Sequence, residues 1–581
     1  MPDGKVPSPY NRVSPDLLAK GIPVNDRTAA PLLAPTENST PEQQFDIIVV
    51  GGGFAGMYAL HRLRGIGLRV KVYEAGGDLG GTWYWNRYPG ARCDVESLEY
   101  SYGFSEDLQQ EWHWPERYGT QGELLRYIDH VARRFDLRRD VQFHTRVTSA
   151  LFDSAANRWR ITTDKGDRAS APYCVMAGGN LSTPRVPAFK GLESFKGKWY
   201  HTGQWPHAGV DFTGLRVAII GTGSSAVQSI PHIAAQAKHL HVFQRTANFS
   251  LPARNAPQDP AREQRHKAEY SARRKAAFDT PFGIAGHPPP TQSALAVSNE
   301  ERNRTYEAKW KEGGSISFLY SYTDLLTNAA ANETASEFVR NKIRSIVRDP
   351  KVAEVLCPKD HPIGTKRLCL DTNYYETYNR DNVTLVDACA TPIDAITLEG
   401  LRTSAASYEF DAIVFATGFD AMTGALAEID VRTSEGRTLK DKWSTGPVTY
   451  LGMMVAGFPN MFLITGPQSP GVKSNMILSI EQHVNWIAEC LTALRARTLN
   501  RIEADERAEC AWVDHVREIA DATLYPLANS WYMGANIPGK PRVFMPYVGG
   551  VQAYTRRCNE VVARGYEGFV LTRASTVEGA A

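Results

Sequence analysis

Two glycine-rich segments have the spacing of loops that bind dinucleotides. The first is Gly51-x-Gly53-x-x-Gly56, which follows a short apolar run and precedes a segment with helical periodicity. Glycines at these positions permit a tight turn and a close approach of the backbone to a pyrophosphate, and the helix N-terminus supplies free N–H groups. Glu74 follows the next apolar segment, where a carboxylate can bind the hydroxyl groups of a ribose. The segment therefore predicts a βαβ unit that binds a dinucleotide.

The second glycine-rich segment is Gly221-x-Gly223-x-x-Ala226, with the same order of strand, turn, helix and strand. Arg245 and Thr246 occupy the place that the acidic residue has in the first unit. A guanidinium at that place suits a 2′-phosphate, which predicts NADP(H) as the ligand. Two sites of different type imply FAD in the first unit and NADPH in the second, and hence electron transfer to a flavin.

The composition of the chain excludes several other classes of protein. With 65 Lys and Arg against 63 Asp and Glu, the net charge is +2, and no basic block marks a nucleic-acid-binding surface. The eight cysteines include no C-x-x-C pair and no zinc-ligand spacing with histidine, which argues against a metal site and a flavin disulfide reductase. The longest apolar run, Ile47–Val50, is too short for a membrane span, and no signal peptide is evident. These features predict a soluble, cytoplasmic protein.

The two loops require two α/β units to position them. We predict an α/β fold with two Rossmann-like dinucleotide-binding domains, one for FAD and one for NADPH. Charged, helix-forming stretches predict a helical insertion in the second unit, and a first segment rich in Pro, Ser, Thr and Asn predicts an irregular arm. The predicted boundaries are 1–44 for the arm, 45–178 and 396–581 for the FAD-binding domain, 179–252 and 355–395 for the NADPH-binding domain, and 253–354 for the helical insertion.

Three further motifs lie between and after the two glycine-rich loops. They are GGTWYWNRYPGARCD over residues 80–94, FKGKWYHTGQWP over residues 195–206 and ATGFD over residues 416–420. Together with the two loops they resemble the motifs of the Baeyer–Villiger monooxygenases, flavoproteins that insert oxygen beside a ketone carbonyl. The resemblance covers the chain from about Phe45 to its end. The Trp-Pro ending of the middle motif departs from the related flavin monooxygenases that act on nitrogen and sulfur.

The resemblance implies a reaction in which NADPH reduces FAD and the reduced flavin combines with O2 to form a C4a-peroxyflavin. This peroxide attacks a ketone, and migration of a carbon atom to oxygen releases an ester or a lactone. The long amino-terminal arm is similar to that of family members that act on large cyclic ketones. We therefore expect a ketone, NADPH and O2 as substrates, FAD as cofactor, no nucleic-acid or membrane partner, and a monomer or small homo-oligomer.

The resemblance also implies roles for individual residues at matching motif positions. Asp94 resembles the carboxylate beside the flavin, and Arg367 resembles the active-site arginine that pairs with it. A permanently charged guanidinium suits the stabilisation of a peroxide anion and of an oxyanion. Lys366 is expected to join Arg245 at the 2′-phosphate. Trp531 resembles the tryptophan of a mobile loop that closes on the nicotinamide nucleotide.

The residues predicted to hold the two nucleotides form two groups. The FAD group is Gly51, Gly53, Phe54, Ala55, Gly56, Glu74, Thr82, Trp83, Asp94, Tyr100, Val147 and Met476. The NADP group is Gly221, Thr222, Gly223, Ser224, Ser225, Ala226, Arg245, Thr246, Lys366, Arg367 and Trp531. No residue is assigned to a metal. An unperturbed histidine titrates near neutrality, but we predict a structural or hinge role for His201 of the middle motif.

Two other functions remain open at this point. A flavin monooxygenase that oxidises sulfur or nitrogen centres shares both cofactors but needs a protonated, electrophilic hydroperoxide. A non-oxygenating NADPH/flavin redox protein binds both cofactors and forms no organic product. The motif matches at Asp94 and Arg367 do not fit this last function.

Overall fold

A computed structural model describes residues 42–574 of the chain. Residues 1–41 of the predicted amino-terminal arm lie outside this range. Two parallel five-stranded sheets form the centre of the described part, and in each of them one strand leads into a glycine-rich turn and a helix. This arrangement confirms the predicted α/β class with two Rossmann-like units.

The first sheet contains the strand that leads into Gly51. All four residues of Ile47–Val50 are buried, as expected for a parallel sheet that is covered on both faces. The strands lie in the order Met461–Leu463, Tyr173–Met176, Ile47–Val50, Val70–Tyr73 and Val141–Gln142. Segments far apart in the chain therefore meet in one sheet.

Different layers cover the two faces of the first sheet. On one face the helices Phe54–Gly65 and Met476–Ala496 pack in a shared apolar cluster. On the other face lies a mixed sheet whose core includes the fully buried side chains of Phe152 and Trp159. Its strands are Gln43–Gln44, Arg168–Ala171, Arg158–Thr163, Val147–Asp153 and Asp430–Thr433, in that order. Because both faces are covered, the crevice at the carboxyl ends of the strands is the place left for a ligand.

The second sheet contains the strand that leads into Gly221. Its strands are all parallel and lie in the order Val383–Asp387, His239–Gln244, Arg216–Ile220, Ala412–Phe415 and Lys198–His201. One face packs on the helix Ser224–Gln236 and on the helical insertion. The other face packs on a small antiparallel sheet made of Ile393–Thr397, Gly400–Thr403 and Ser407–Glu409.

The strand Ala412–Phe415 corrects one predicted domain boundary. Residues from 396 onward were assigned to the FAD-binding domain, but this strand pairs with Arg216–Ile220 in the second sheet. All four of its side chains are buried. A strand that is apolar on both faces fits either parallel sheet, so its sequence pattern does not indicate which sheet it joins. The chain crosses back to the first unit only after Phe415.

Helices fill the insertion in the second unit. They are Pro260–Ala268, Tyr270–Ala277, Asn299–Glu312, Ser315–Leu319, Ala329–Ile346 and Pro350–Leu356. Four of them begin after a residue whose side chain accepts a backbone N–H of the first turn, namely Asp259, Ser298, Asn328 and Asp349. The strands Ser250–Pro252 and Cys369–Asp371 pair at the base of the insertion and bring its two ends together.

The remaining elements complete the layers around the two sheets. The other α-helices are Thr82–Trp85, Glu106–Glu111, Gln121–Arg134, Tyr374–Thr377, Gly424–Ala427, Leu439–Lys442, Glu506–Asp521 and Val551–Ala563. The strands Arg501–Ala504 and Phe569–Thr572 pair antiparallel. Among residues 42–574, no helix combines the length and the apolar composition that crossing a membrane requires.

The close packing of the first helix on the glycine turn leads to a prediction at Gly56. A Cβ atom there would lie 1.8 Å from the carbonyl oxygen of Gly51, so the helix or the turn would have to shift. We expect Gly56→Ala to destabilise the fold by about 1–3 kcal/mol, the usual range for overpacking. Thermal unfolding followed by circular dichroism measures the effect as a lowered transition temperature.

The matched control is Gly65→Ala at the other end of the same helix. A Cβ atom at Gly65 meets no atom within 4 Å. Because alanine restricts the unfolded chain more than glycine, we expect this change to stabilise the fold by about 0.5–1 kcal/mol. Equal transition temperatures for the two variants would contradict the packing assigned to Gly56.

Candidate cofactor and active site

A cavity of about 180 Å³ opens at the carboxyl ends of the strands of the first sheet. Ten of the residues predicted to bind FAD line it: Gly51, Gly53, Phe54, Ala55, Glu74, Thr82, Trp83, Tyr100, Val147 and Met476. Gly56 does not line the cavity, because it lies where the helix packs on the turn. Asp94 lines a neighbouring cavity instead.

The turn at Gly51 has the geometry that a pyrophosphate site needs. Gly51 has a φ of +108°, and a Cβ atom there would lie 2.5 Å from the carbonyl oxygen of Ala177. The helix that follows has Gly53 as its N-cap, with no side-chain cap and no acidic residue in its first turn. Its first N–H groups are therefore left to an anionic ligand. These residues fit the pyrophosphate of FAD.

Glu74 is placed to bind a ribose at the edge of the same cavity. One of its carboxylate oxygens accepts the N–H of Gly52 at 2.5 Å, and the other accepts the N–H of Gly76 at 2.6 Å. Burial raises the pKa of Glu74, and these two N–H groups oppose the rise. A carboxylate has about four lone-pair positions, so it can still accept the hydroxyl groups of a ribose.

A second cavity of about 490 Å³ adjoins the first and shares part of its wall. The residues common to both include Thr82, Trp83, Tyr100 and Met476. Of the residues predicted to bind NADP, those that line it are Gly221, Thr222, Gly223, Ser224, Ser225, Arg245, Thr246, Lys366, Arg367 and Trp531. Ala226, the remaining residue of this group, is fully buried in the helix and does not line the cavity. The helix N-cap, Gly223, again has no side-chain cap and no acidic residue follows it in the first turn, so this site fits a second pyrophosphate.

Two cations lie together where the 2′-phosphate of NADP is predicted to bind. Burial lowers the pKa of Lys366, and the charge of Arg245 lowers it further. The Lys366 ammonium lies 3.4 Å from a carboxylate oxygen of Asp360, which partly offsets this repulsion. A phosphate dianion placed between the two cations would offset it more completely.

Asp94 and Arg367 form a bidentate ion pair although 273 residues separate them. Arg367 Nε donates to Asp94 Oδ2 at 2.8 Å, and Arg367 Nη2 donates to Asp94 Oδ1 at 2.7 Å. Arg367 Nη1 donates to the carbonyl oxygen of Val472 at 2.7 Å. Burial by itself lowers the pKa of Arg367, but the Asp94 carboxylate raises it above its ordinary value. The guanidinium is thus charged and held in one orientation at the wall of the second cavity.

Several residues of the site were not singled out in the sequence. Val472 binds Arg367 through its backbone, which no side-chain pattern can indicate. Tyr532 lies against the same guanidinium, and burial raises its pKa to about 12 while Arg367 opposes the rise. The sequence signal that could have pointed to Tyr532 is its neighbour Trp531, which was already singled out. Other polar residues in the wall of the second cavity are Asn180, Arg185, Asn248, Thr417 and Asn529.

The segment that carries Trp531 closes one side of the second cavity. It is attached to the ATGFD motif by two polar contacts: Lys540 Nζ donates to Asp420 Oδ1 at 2.6 Å, and Asn536 Nδ2 donates to the carbonyl oxygen of Phe419 at 2.8 Å. The Lys540–Asp420 pair is largely buried. These contacts hold the Trp531 segment at the side of the second cavity.

His201 lies apart from the two cavities. It is fully buried at the end of the strand Lys198–His201. Its Nδ1 atom accepts the N–H of Gly203 at 2.9 Å, and its Nε2 atom lies 3.4 Å from the hydroxyl oxygen of Thr417. Because Thr417 lines the second cavity, His201 supports the wall and does not belong to it.

Comparison with known proteins agrees with this geometry. Residues 48–273 match the family model described as pyridine nucleotide-disulphide oxidoreductase. The chain is 44% identical to a Baeyer–Villiger monooxygenase of Pseudooceanicola batsensis, over 93% of this chain and 99% of the relative. It is 40% identical to the phenazine N-monooxygenase PhzNO1 of Lysobacter antibioticus, over 91% of this chain and 97% of the relative.

A solved structure extends the comparison to three dimensions. Oxidized steroid monooxygenase bound to NADP is 52% identical, and the match covers 91% of this chain and all of that one with a TM-score of 0.87. Similarity of this extent covers nearly the whole of both chains. The chain belongs to the Baeyer–Villiger monooxygenases.

Proposed function

We propose that this enzyme converts ketones to esters or lactones with NADPH and O2. The observation that carries the proposal is the bidentate pair of Asp94 and Arg367, which lines the second cavity where that cavity adjoins the first. Arg367 of this pair places a permanently charged guanidinium between the two predicted nucleotide sites. A redox protein that forms no organic product has no use for such a charge at that place.

The residues present fit FAD in the first cavity and NADPH in the second. When bound, NADPH supplies a hydride to the flavin, and the reduced flavin activates O2 for insertion beside a ketone carbonyl. Gly51, Gly53 and Glu74 would hold FAD through its pyrophosphate and ribose. Arg245 and Lys366 would favour NADPH over NADH, because they would bind the 2′-phosphate.

Arg367 would stabilise the negative charge that develops on the carbonyl oxygen of the ketone. Fixed donors aimed at a developing charge cost no reorganisation during the reaction, which is why they lower the barrier. Asp94 and the carbonyl of Val472 fix the direction of the guanidinium. The Trp531 segment, held by the Lys540–Asp420 pair, would exclude water from the same space.

We also propose that the protein works in a reducing compartment such as the cytoplasm. All eight of its cysteines are free, and six of them are buried. Burial raises the pKa of Cys93 and Cys369, the two that lie nearest the Asp94–Arg367 pair. Thiols of this kind are unreactive, so they support the interpretation of a reduced protein without a redox cysteine.

Oxidation of nitrogen or sulfur is a second candidate function, because one relative that is 40% identical is named for N-oxidation. A panel of a cyclic ketone, an aryl sulfide and an aromatic N-heterocycle separates the candidates. We expect the lactone as the main product, measured by gas chromatography against NADPH consumed. N-oxide or sulfoxide as the main product, with no lactone, would overturn the proposal.

The role assigned to Arg367 predicts the effect of Arg367→Ala. Loss of one electrostatic donor of this kind costs about 10²–10³ in kcat, so lactone formation should fall at least a hundredfold. FAD should remain bound, because Arg367 does not line the first cavity. Product analysis and the flavin absorbance of the purified variant check both parts. Lactone formation at the rate of the unmodified enzyme would remove Arg367 from the mechanism.

The assignment of the 2′-phosphate site predicts the effect of Lys366→Met. A hydrogen bond to a charged group contributes about 1.5–3 kcal/mol, so the KM for NADPH should rise about 10- to 100-fold. NADH has no 2′-phosphate and serves as the matched control, so its KM should change less than threefold. Steady-state rates with each nucleotide give both values. An equal rise in both KM values would show that Lys366 does not contact the phosphate.

A further inference from the structure

A lysine that has no acidic partner in the described part of the chain lies beside Arg367. Lys473 ends the short turn Gly471–Lys473 and directly follows Val472, the residue whose carbonyl binds Arg367. Its Nζ atom lies 4.3 Å from the ring centroid of Tyr525 and 4.7 Å from that of Tyr532. Among residues 42–574, no carboxylate forms an ion pair or a hydrogen bond with this ammonium group.

The charges around Lys473 do not balance. The carboxylate that pairs with Arg367 is Asp94, and both of its oxygens already accept from Arg367. When Lys473 is protonated, the group of three therefore carries a net positive charge. Burial lowers the pKa of Lys473 to about 7, and the charge of Arg367 contributes to the shift. An anion that binds here would stabilise the ammonium and restore the balance.

The surroundings of Lys473 are otherwise apolar. The residues of the adjoining cluster are Ala421, Met422, Val472, Tyr525, Tyr532 and Met545. Val472 and Ser474, on either side of Lys473, line the second cavity together with Arg367. A molecule with a hydrocarbon body and one anionic end matches this combination of apolar residues and a cation whose charge is not balanced.

A purely structural role explains the lysine less well. The two tyrosine rings offer a cation–π contact, which is a modest stabilisation compared with the cost of removing an ammonium group from water beside a second cation. A methionine of similar length would fill the same space without that cost. The charge itself is therefore the feature that needs an explanation.

We propose that Lys473 is a substrate-binding residue that receives a carboxylate carried by the ketone, so that keto acids with an apolar body are preferred substrates. The inference rests on the proposed function, because it names the substrate class of the same site. The ketone carbonyl would lie toward Arg367 and the carboxylate toward Lys473. Neutral ketones of the same shape would bind the same wall without the ion pair.

The experiment measures binding and not turnover, so that its outcome does not depend on oxygenation. FAD-loaded enzyme saturated with NADP+ is titrated with cyclohexanecarboxylate and with its neutral isostere cyclohexanecarboxamide, by calorimetry at pH 6.5. Saturation with NADP+ keeps the carboxylate away from Arg245 and Lys366. We expect the carboxylate to bind at least tenfold more tightly than the amide.

Two variants assign that preference to the lysine. Lys473→Met should reduce the preference for the carboxylate by at least tenfold, whereas Lys473→Arg, which keeps the charge, should retain most of it. Equal affinity of the unmodified enzyme for the two probes would overturn the inference. A loss of affinity in Lys473→Met that is the same for both probes would also overturn it, because that result is expected if Lys473 only packs on the tyrosine rings.

The outcome is separable from that of the proposed function. If the enzyme forms lactones but shows no preference for the carboxylate, only the inference about Lys473 fails. If the preference is found but no lactone forms from any ketone, the anion site stands and the proposed reaction fails. If Lys473→Met does not fold, Lys473→Gln, which also removes the charge, takes its place in the same comparison of the two probes.

Discussion

The ion pair between Asp94 and Arg367 links the two nucleotide-binding units beside their cavities. Asp94 ends the motif at residues 80–94 of the first unit, and Arg367 lies just before the strand Cys369–Asp371 at the base of the helical insertion. Both partners are mostly shielded from solvent. Either charge without the other would be left uncompensated, which is strongly destabilising in such surroundings. The pair therefore joins the two units at the wall of the second cavity.

A second constraint comes from the helices that follow the glycine turns. Neither the helix after Gly53 nor the helix after Gly223 has a side-chain cap or an acid in its first turn. Helices in the insertion, by contrast, begin after capping residues such as Asp259 and Ser298. The two helices that face the cavities thus keep free N–H groups in their first turns, and these groups suit a pyrophosphate.

The two cavities differ in the sign of the charges that line them. The first has the buried carboxylate of Glu74, which suits neutral ribose hydroxyls. The second has Arg245, Lys366 and Arg367 in its wall, with Lys473 next to Val472 and Ser474 of that wall. An excess of cations in a partly desolvated space favours anionic ligands, and the phosphates of NADPH neutralise only part of this excess. The difference explains why one fold can hold two nucleotides in distinct roles.

The sequence by itself determined the two glycine turns, Glu74 and Arg245, because each depends on the conformation and order of a few neighbouring residues. Family motifs added Asp94 and Arg367 as separate candidates. Only the tertiary structure decided that these two residues meet, that Ala412–Phe415 joins the second sheet, and that Lys473 has no acidic partner within residues 42–574. The physical reason is the same in each case, because the partner is set only when distant segments pack together. The sequence around a charged residue does not indicate which opposite charge it will meet. A strand that is apolar on both faces fits any covered parallel sheet.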